Sequence, residues 1–407
     1  MKLDVKDIIP QGRKSVINDL LNAIRGVCFL PLWYFQRFHK RDASLWTFGA
    51  WSGERYSDNS RALYEYVLAH HPEIHAVWMT RSPQIFERLQ KEGRPVAMIE
   101  SNEGKRVQRD AGFFFMTSNL FDGDVRQMNG IRFVNLWHGM PLKKIGEDAM
   151  ERIRSKSLWK RIKTKIRKIV VPWEFISGPT LCGSSFFYPY FKTAFCLTDK
   201  TAWPIIEPRI SKLTGRGGER LTCQLDEQYG QPLKVLYMPT FRDDKVGTFN
   251  PFALAPGFDK KRFEQLLEKE NIVFLYKGHF VDEFHTTESN QGRFRVINDN
   301  DYDDLYRFLN DIDVLVTDYS SIYFDFLYVH KPIILFPFDY DDYIAKAREF
   351  YFDYQLLEAI RVYSWEELEE CLRNRNYHAP SEEEVKRFCD DQKEICCEQI
   401  VAYCLKL

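Results

Sequence analysis

Residues 133–146 read FVNLWHGMPLKKIG. Phe133, Val134, Asn135 and Leu136 lead into Trp137-His138-Gly139, then Pro141 and the pair Lys143-Lys144. A short apolar run closed by Gly and Pro reads as a buried strand giving way to a loop. The loop sets an imidazole and two ammonium groups at a strand end. In open α/β sheets, ligands bind in the crevice beyond the carboxyl ends of the strands. A histidine there is suited to taking a proton near neutral pH, because its unperturbed pKa is about 6.5. Alone, the segment reads equally well as a core histidine followed by two solvated lysines. The flanking pattern decides.

Upstream, LWTFGAWSG (45–53) reads as a buried strand into a Gly loop, and YSDNSRALYEYVLAHHP (56–72) as a helix capped at Asp58 or Asn59. HAVWMT (75–80) is a strand and PQIFERLQKEG (83–93) a helix; PVAMIE, FFFMTSN and RFVNLW follow as strands. Downstream, WEFISGPTLCGSSFFYPYFKTAF (173–195) gives a strand, a turn and a helix. After a Gly-rich polar stretch at 214–231, a second run begins with the strand VLYMPT. It continues through the helix 260–270, the strand IVFLYKGH (272–279), the helix 302–310, the strand VLVTDYSS (314–321), a helix from Ser321 and the strand PIILFPFD (332–339). Strands alternating with helices of 10–15 residues indicate βαβ units and parallel sheets.

The 407 residues, 44% hydrophobic, suffice for two cores. Lys+Arg 57 against Asp+Glu 58 leaves a net charge of −1, so no global field draws the chain to nucleic acid. The nine cysteines form no CxxC pair, and no secretory signal peptide is legible, so they read as reduced thiols in a cytoplasmic protein. Two stretches read as local contacts. In 14–41, the densest apolar run is ten residues long and contains Pro31, too short to span a bilayer. Trp33, Tyr34 and Phe35 followed by Arg37, His39, Lys40 and Arg41 suit either a membrane interface or a helix packed on the domain surface. In 152–168, nine Lys/Arg and no acid accompany apolar residues at helical spacing. That pattern predicts contact with an anionic membrane or polyanion, with Lys160, Arg161, Lys163, Lys165, Arg167 and Lys168 on the charged face.

Four further strand ends carry chemistry. Thr317-Asp318-Tyr319-Ser320-Ser321 closes a strand and opens a helix, where free N–H groups and hydroxyls suit a phosphate; a plain helix cap is the alternative. Tyr276-Lys277-Gly278-His279 repeats the cation-plus-histidine layout. Pro239-Thr240-Phe241-Arg242 offers a guanidinium fork, and Glu207-Pro208-Arg209 another. Together they predict a cleft between two α/β domains that grips a phosphorylated ligand. GxxxxGK[ST], GxGxxG after a strand and HExxH do not occur, which weighs against P-loop, dinucleotide and zinc-protease chemistry.

Trp137–Gly146 (WHGMPLKKIG) resembles the WHGTPLKKIG signature of the CDP-glycerol glycerophosphotransferases of teichoic acid and capsule synthesis. Tyr237–Asp244 (YMPTFRDD) is similar to that family's APTWRDD, and Thr317–Phe326 (TDYSSIYFDF) to its TDYSSVFFDF. Trp51–Val77 and Phe350–Asp353 extend the match.

The resemblance implies a GT-B architecture, two Rossmann-like domains facing a central cleft, and metal-free attack of an acceptor hydroxyl on the β-phosphorus of CDP-glycerol with CMP leaving. It makes His138 the general base and His279 a second catalytic histidine near the donor phosphates. Thr240, Arg242, Arg209, Thr317, Asp318, Ser320 and Ser321 become donor and phosphate ligands, and Lys143 and Lys144 face the acceptor. The expected organisation is a membrane-proximal segment 1–43, an acceptor domain 44–213, a donor domain 232–378 and terminal helices 379–407. The expected partners are a lipid-linked, polyol-phosphate or saccharide acceptor and the cytoplasmic face of a bacterial cell membrane, with homo-oligomerisation left open. Met140 in place of Thr, and YKGH in place of Arg-Met-His-Pro, leave room for a CDP-ribitol donor. A GT-B glycosyltransferase using a nucleotide sugar is the other enzymatic alternative.

Overall fold

The computed structural model describes residues 30, 31, 33–118, 120–150, 177–213, 218–240, 242, 249–278, 292–299, 301–346, 349–390 and 395–407. His279 and the basic stretch 152–168, with Lys160, Arg161, Lys163, Lys165, Arg167 and Lys168, lie outside them.

The chain divides into two compact units. The first takes residues up to Trp137 and the stretch ending at Thr180; the second takes His138–Arg152 and Leu181–Leu407. His138 therefore falls with the second unit, not with the 44–213 domain expected from the sequence.

The first sheet comprises β1 (Asp42–Gly49), β2 (His75–Thr80), β3 (Val96–Met98), β4 (Ala111–Met116), β5 (Arg132–Asn135), β6 (Thr180–Leu181) and β7 (Ala202–Trp203). Their order is β3-β2-β1-β4-β5-β6-β7. β1 pairs in parallel with β2 on one side and β4 on the other, aligning Phe48 with Trp78 and Phe115. All six residues of β4 are buried, the continuous apolar run of a parallel strand covered on both faces. β1 ends at Gly49, where the expected loop begins, and Trp51, Ser52 and Gly53 take positive φ. Gly49 is required there: a Cβ would lie 2.2 Å from the Asp122 carbonyl oxygen.

The second sheet comprises β8 (Leu233–Met238), β9 (Ile272–Tyr276), β10 (Phe294–Val296), β11 (Val314–Thr317), β12 (Ile333–Leu335) and β13 (Ile360–Arg361). Its order, β10-β9-β8-β11-β12-β13, is all parallel and has the Rossmann 3-2-1-4-5-6 pattern. The core on one face centres on Trp365, which stacks on Phe252 at 4.9 Å and meets Phe263 and Phe336. The helix Lys260–Lys269 shows how the local sequence builds this face. Asp259 caps it by accepting the Arg262 N–H at 2.8 Å, and Phe263, Leu266 and Leu267, three and four apart, turn inward. Each such buried side chain contributes about 1.5–3 kcal/mol. Within the Gly-rich polar stretch, Arg220–Tyr229 form a helix, burying Leu221 and Leu225 and ending at left-handed Gly230.

At the start of the described chain, Trp33 is buried against Phe114, Met128 and Phe133, and Arg41 donates to the carbonyls of Gln108, Arg109, Ala111 and Asn129. Phe35 and Phe38 are 73% and 84% exposed. One face packs on the first unit; the other presents aromatics to solvent. No helix among the described residues is long and apolar enough to cross a membrane.

Candidate active site

The strand order of the second sheet reverses between β8 and β11, and both strand ends there carry predicted site residues. The crevice at such a switch point is where open α/β sheets bind ligands. Asp318 ties the two ends together. Its Oδ1 accepts the N–H groups of Thr240 (2.7 Å) and Tyr319 (2.6 Å), and its Oδ2 accepts Arg242 Nη2 at 2.8 Å. Arg242 also grips Asp339 with Nε and Nη2, both at 2.9 Å, and donates to the Thr240 carbonyl at 2.8 Å. Thr317 Oγ1 donates to the Met238 carbonyl at 2.7 Å, locking β11 to β8. The Arg242 guanidinium is sandwiched by Phe249, Tyr319 and Tyr343 at 4.7–5.0 Å from the ring centroids.

This arrangement changes the parts expected of two residues. The Arg242 fork, read from sequence as a phosphate grip, is taken up by two carboxylates and is 2% exposed. Burial lowers its proton affinity, but Asp318 and Asp339 more than reverse this and raise it above its ordinary value. Asp318, equally buried, accepts three hydrogen bonds and joins the two strand ends. Burial, then the charges of Asp318 and Asp339, push the Tyr319 phenol well up, so it stays protonated at neutral pH. Three hydroxyls lie at these strand ends. Thr240 Oγ1 is buried with no hydrogen-bond partner among the described residues, while Ser320 and Ser321 are half-buried. The helix opening at Ile322 is only six residues long, Ile322–Leu327, so its macrodipole adds less than the sequence suggests.

The loop from His138 meets the same strand end. Gly139 has φ +145°, and a Cβ there would sit 2.6 Å from Ser321 Oγ and 3.2 Å from Arg209 Nη2. Arg209 bridges the two. Its Nη1 donates to the His138 carbonyl at 3.0 Å and its Nη2 to Asp325 Oδ2 at 2.9 Å. Tyr306 donates its hydroxyl to the same carboxylate oxygen at 2.9 Å, and its ring lies 5.0 Å from the guanidinium. Arg209 is 4% exposed and Asp325 2%, so this pair too orders the site from within. On the strand side, Trp137 has φ +57°, its N–H donates to Asn135 Oδ1 at 3.0 Å, and its carbonyl accepts Asn59 Nδ2 at 2.8 Å. His138 thus sits between two residues of positive φ, with neighbouring carbonyls held.

Downstream, Lys143 bridges to Phe350 by a β-bridge and lies 5.8 Å from the Tyr343 ring; Lys144 pairs with Glu349 at 2.7 Å. Both lysines are half-buried. His138, Lys143, Lys144, Arg209, Ser320 and Ser321 are therefore brought to one end of the second sheet, beside Thr240, Arg242, Thr317 and Asp318. Sequence reading did not single out Asp325 or Tyr306, and took Asn59 only as a candidate helix cap. Asp325 lies inside the quoted TDYSSIYFDF stretch, and that was its only signal. Among the described residues, no group of three or more His, Cys, Asp or Glu is arranged to hold a metal ion.

A profile of CDP-glycerol:poly(glycerophosphate) glycerophosphotransferases matches residues 32–395. The chain belongs to this family. Its members are transferases, and this chain is one of them. It is 26% identical over 356 residues to a teichoic acid glycerol-phosphate transferase of Staphylococcus aureus (strain NCTC 8325 / PS 47), covering 84% of each chain. It is also 26% identical over 311 residues to a teichoic acid poly(glycerol phosphate) polymerase of Bacillus subtilis (strain 168), covering 76% of this chain. The match spans 40% of that longer protein. Its fold is that of the wall teichoic acid polymerase TagF: TM-score 0.72 at 19% identity, covering 100% of this chain and 98% of the other. The GT-B class and its two Rossmann-like units, expected from the resemblance, are what the glycerophosphotransferase displays.

Proposed function

We propose that this glycerophosphotransferase moves glycerol phosphate from CDP-glycerol to a hydroxyl of a lipid-linked, polyol-phosphate or saccharide acceptor in teichoic-acid- or capsule-type synthesis. The acceptor oxygen attacks the β-phosphorus, the bond to the bridging pyrophosphate oxygen breaks, and CMP leaves. His138 takes the acceptor proton. The observation that carries this reading is the junction of the His138 loop with the Ser320-Ser321 strand end through Arg209 and Asp325. It fixes the backbone of a proton acceptor next to hydroxyls suited to the donor's phosphates. Fixed positioning and preorganised hydrogen bonds account for most catalysis in phosphoryl transfer.

In this reading Thr240, Ser320 and Ser321 bind the donor phosphates directly. Arg209, Arg242, Asp318 and Thr317 are positioning residues that hold those hydroxyls and His138 in place. His279 keeps the assignment the resemblance gives it, near the donor phosphates. Lys143 and Lys144 draw the acceptor's anionic end, and the chemistry proceeds without a metal. The exposed Phe35 and Phe38, with the basic stretch 160–168, support a peripheral place at the cytoplasmic face of the cell membrane.

The test is CMP release from CDP-glycerol with a polyol-phosphate acceptor. Acceptor-dependent CMP from the native chain and loss of about 10²–10⁴-fold in His138→Ala are expected. Undiminished turnover in that variant would remove His138 from the mechanism. A second donor is supported by a specific likeness: 30% identity over 217 residues, half of this chain, to the ribitol-phosphate polymerase TarL of Staphylococcus aureus. Turnover with CDP-ribitol and none with CDP-glycerol would keep the mechanism and change the donor.

A further inference from the structure

Ser320 and Ser321 open a helix, Ile322–Leu327, of only six residues, all buried. A helix that short gains little from its own hydrogen bonds, so its neighbours decide how it is held. The Tyr323 N–H donates to the Ser320 carbonyl at 3.2 Å and the Phe324 N–H to the Ser321 carbonyl at 3.0 Å. Any rotation of the helix therefore carries both serines with it. Its two polar side chains are Tyr323 and Asp325. Asp325 is held by Arg209 and Tyr306. At 3.6 residues per turn, Tyr323 stands about 200° around the axis from Asp325. The Arg209 junction thus leaves the opposite side of the helix to another partner.

That partner is Glu384, 61 residues further along the chain in the terminal helices. Tyr323 donates its hydroxyl to Glu384 Oε1, and the same oxygen accepts the Glu358 N–H at 2.8 Å. Both side chains are 1% exposed. Burial, then the Glu384 charge, push the Tyr323 phenol well up, so it stays protonated and donates. The carboxylate is delivered by a built structure. Ser381 caps the helix Glu382–Phe388 by accepting the Glu384 N–H at 3.0 Å, and its hydroxyl donates to Glu358 Oε2 at 2.6 Å. At the other end of this helix the Phe388 ring lies 5.3 Å from that of Phe324, and the Phe388 carbonyl accepts Ser184 Oγ at 2.6 Å. An apolar contact would pack the two helices without the cost of burying a carboxylate. What the hydrogen bond adds is a fixed orientation.

We propose that Glu384 is a positioning residue for the donor hydroxyls, acting through Tyr323 to fix the rotation of the Ile322–Leu327 helix and with it the placement of Ser320 and Ser321. Asp325 and Tyr323 clamp that helix from two sides. One side faces the arginine that holds the His138 carbonyl; the other faces the terminal helices, which thereby bear on donor binding from behind the site. This role rests on the reading of Ser320 and Ser321 as donor ligands.

The test uses the full chain, with CDP-glycerol binding followed by calorimetry and turnover by CMP release onto a polyol-phosphate acceptor. Tyr323→Phe keeps the ring and removes only the hydroxyl. In it the Kd for CDP-glycerol rises and kcat falls, each about tenfold, part of the loss that misplacement by about 1 Å brings, while acceptor KM is unchanged. Glu384→Leu does the same. Glu384→Gln, whose amide oxygen still accepts both donors, recovers most of the affinity. In a Ser320→Ala/Ser321→Ala background Tyr323→Phe adds little, because the residues act as one unit. Native Kd and kcat in folded Tyr323→Phe and Glu384→Leu, or a full further loss in the serine-free background, would overturn the role and leave the transferase reading standing. So would a lowered binding stoichiometry at unchanged Kd, the mark of lost folded protein alone. Failure of the native chain to bind CDP-glycerol would remove the reading of the serines, and the role with it.

Discussion

Arg209 and Arg242 both sit at strand ends where a phosphate ligand is expected, and both are neutralised inside the protein by carboxylates distant in sequence. Arg209 finds Asp325, and Arg242 finds Asp318 and Asp339. A buried guanidinium without such partners would carry a large desolvation cost, so the pairing follows from burial itself. The consequence can be measured. Arg242→Met leaves Asp318 and Asp339 buried without their cation, and breaking a buried pair from one side costs about 3–5 kcal/mol. Urea unfolding followed by tryptophan fluorescence should show that loss in the second unit. A change below about 0.5 kcal/mol, typical of surface positions, would contradict the clamp. No sequence pattern could separate a phosphate-gripping arginine from a clamping one, because the partners lie 76 and 97 residues away. The residue types were legible; their pairing was not.

At the scale of the element, the strand ends decide the site, and the strands themselves were readable. HAVWMT is β2 residue for residue, and the apolar strands before Arg242, Lys277 and Asp318 fall where their runs predict. β7, β10 and β13 are two or three residues long and show no periodicity to read. The helix Arg220–Tyr229 was hidden by Gly215, Gly217, Gly218 and Gly230 around it, with only Leu221 and Leu225 marking its inner face. The loop 137–139 is the element where local chemistry and tertiary contact agree. Gly139 is needed for both its positive φ and its closeness to Ser321. Gly139→Ala should push the His138 loop off the Ser321 strand end, and misplacement by about 1 Å costs on the order of 10²-fold in rate. Steady-state CMP release beside a thermal melt checks this: kcat should fall while the melt moves by only a few degrees. Native kcat in Gly139→Ala would mean that the close approach has no catalytic consequence.

At the scale of the whole molecule, the second sheet lies wholly within the second unit, and Thr240, Ser320, Ser321 and the His138 loop all belong to that unit too. CDP-glycerol at about 100 times its Kd should stabilise what it binds by about 2.7 kcal/mol. Scanning calorimetry should therefore show one transition displaced by the donor and the first unit's transition left in place. Displacement of the first unit's transition alone would place the donor on the other sheet. Two Rossmann-like units were legible from the doubled strand–helix rhythm. The assignment of 138–152 to the second unit was not, because it depends on partners such as Glu349, 205 residues beyond Lys144. That separation sets an order of events on the ribosome. At about 5–20 residues per second, the loop carrying His138 emerges some 10–40 s before the segment that anchors it. The nascent chain therefore passes through a stage in which the first unit is largely made and the histidine is already outside the tunnel with nothing to dock against. That docking is complete only when the last third of the polypeptide has been translated, so a stalled or clipped product lacking Glu349 is expected to be inert, whatever it still binds.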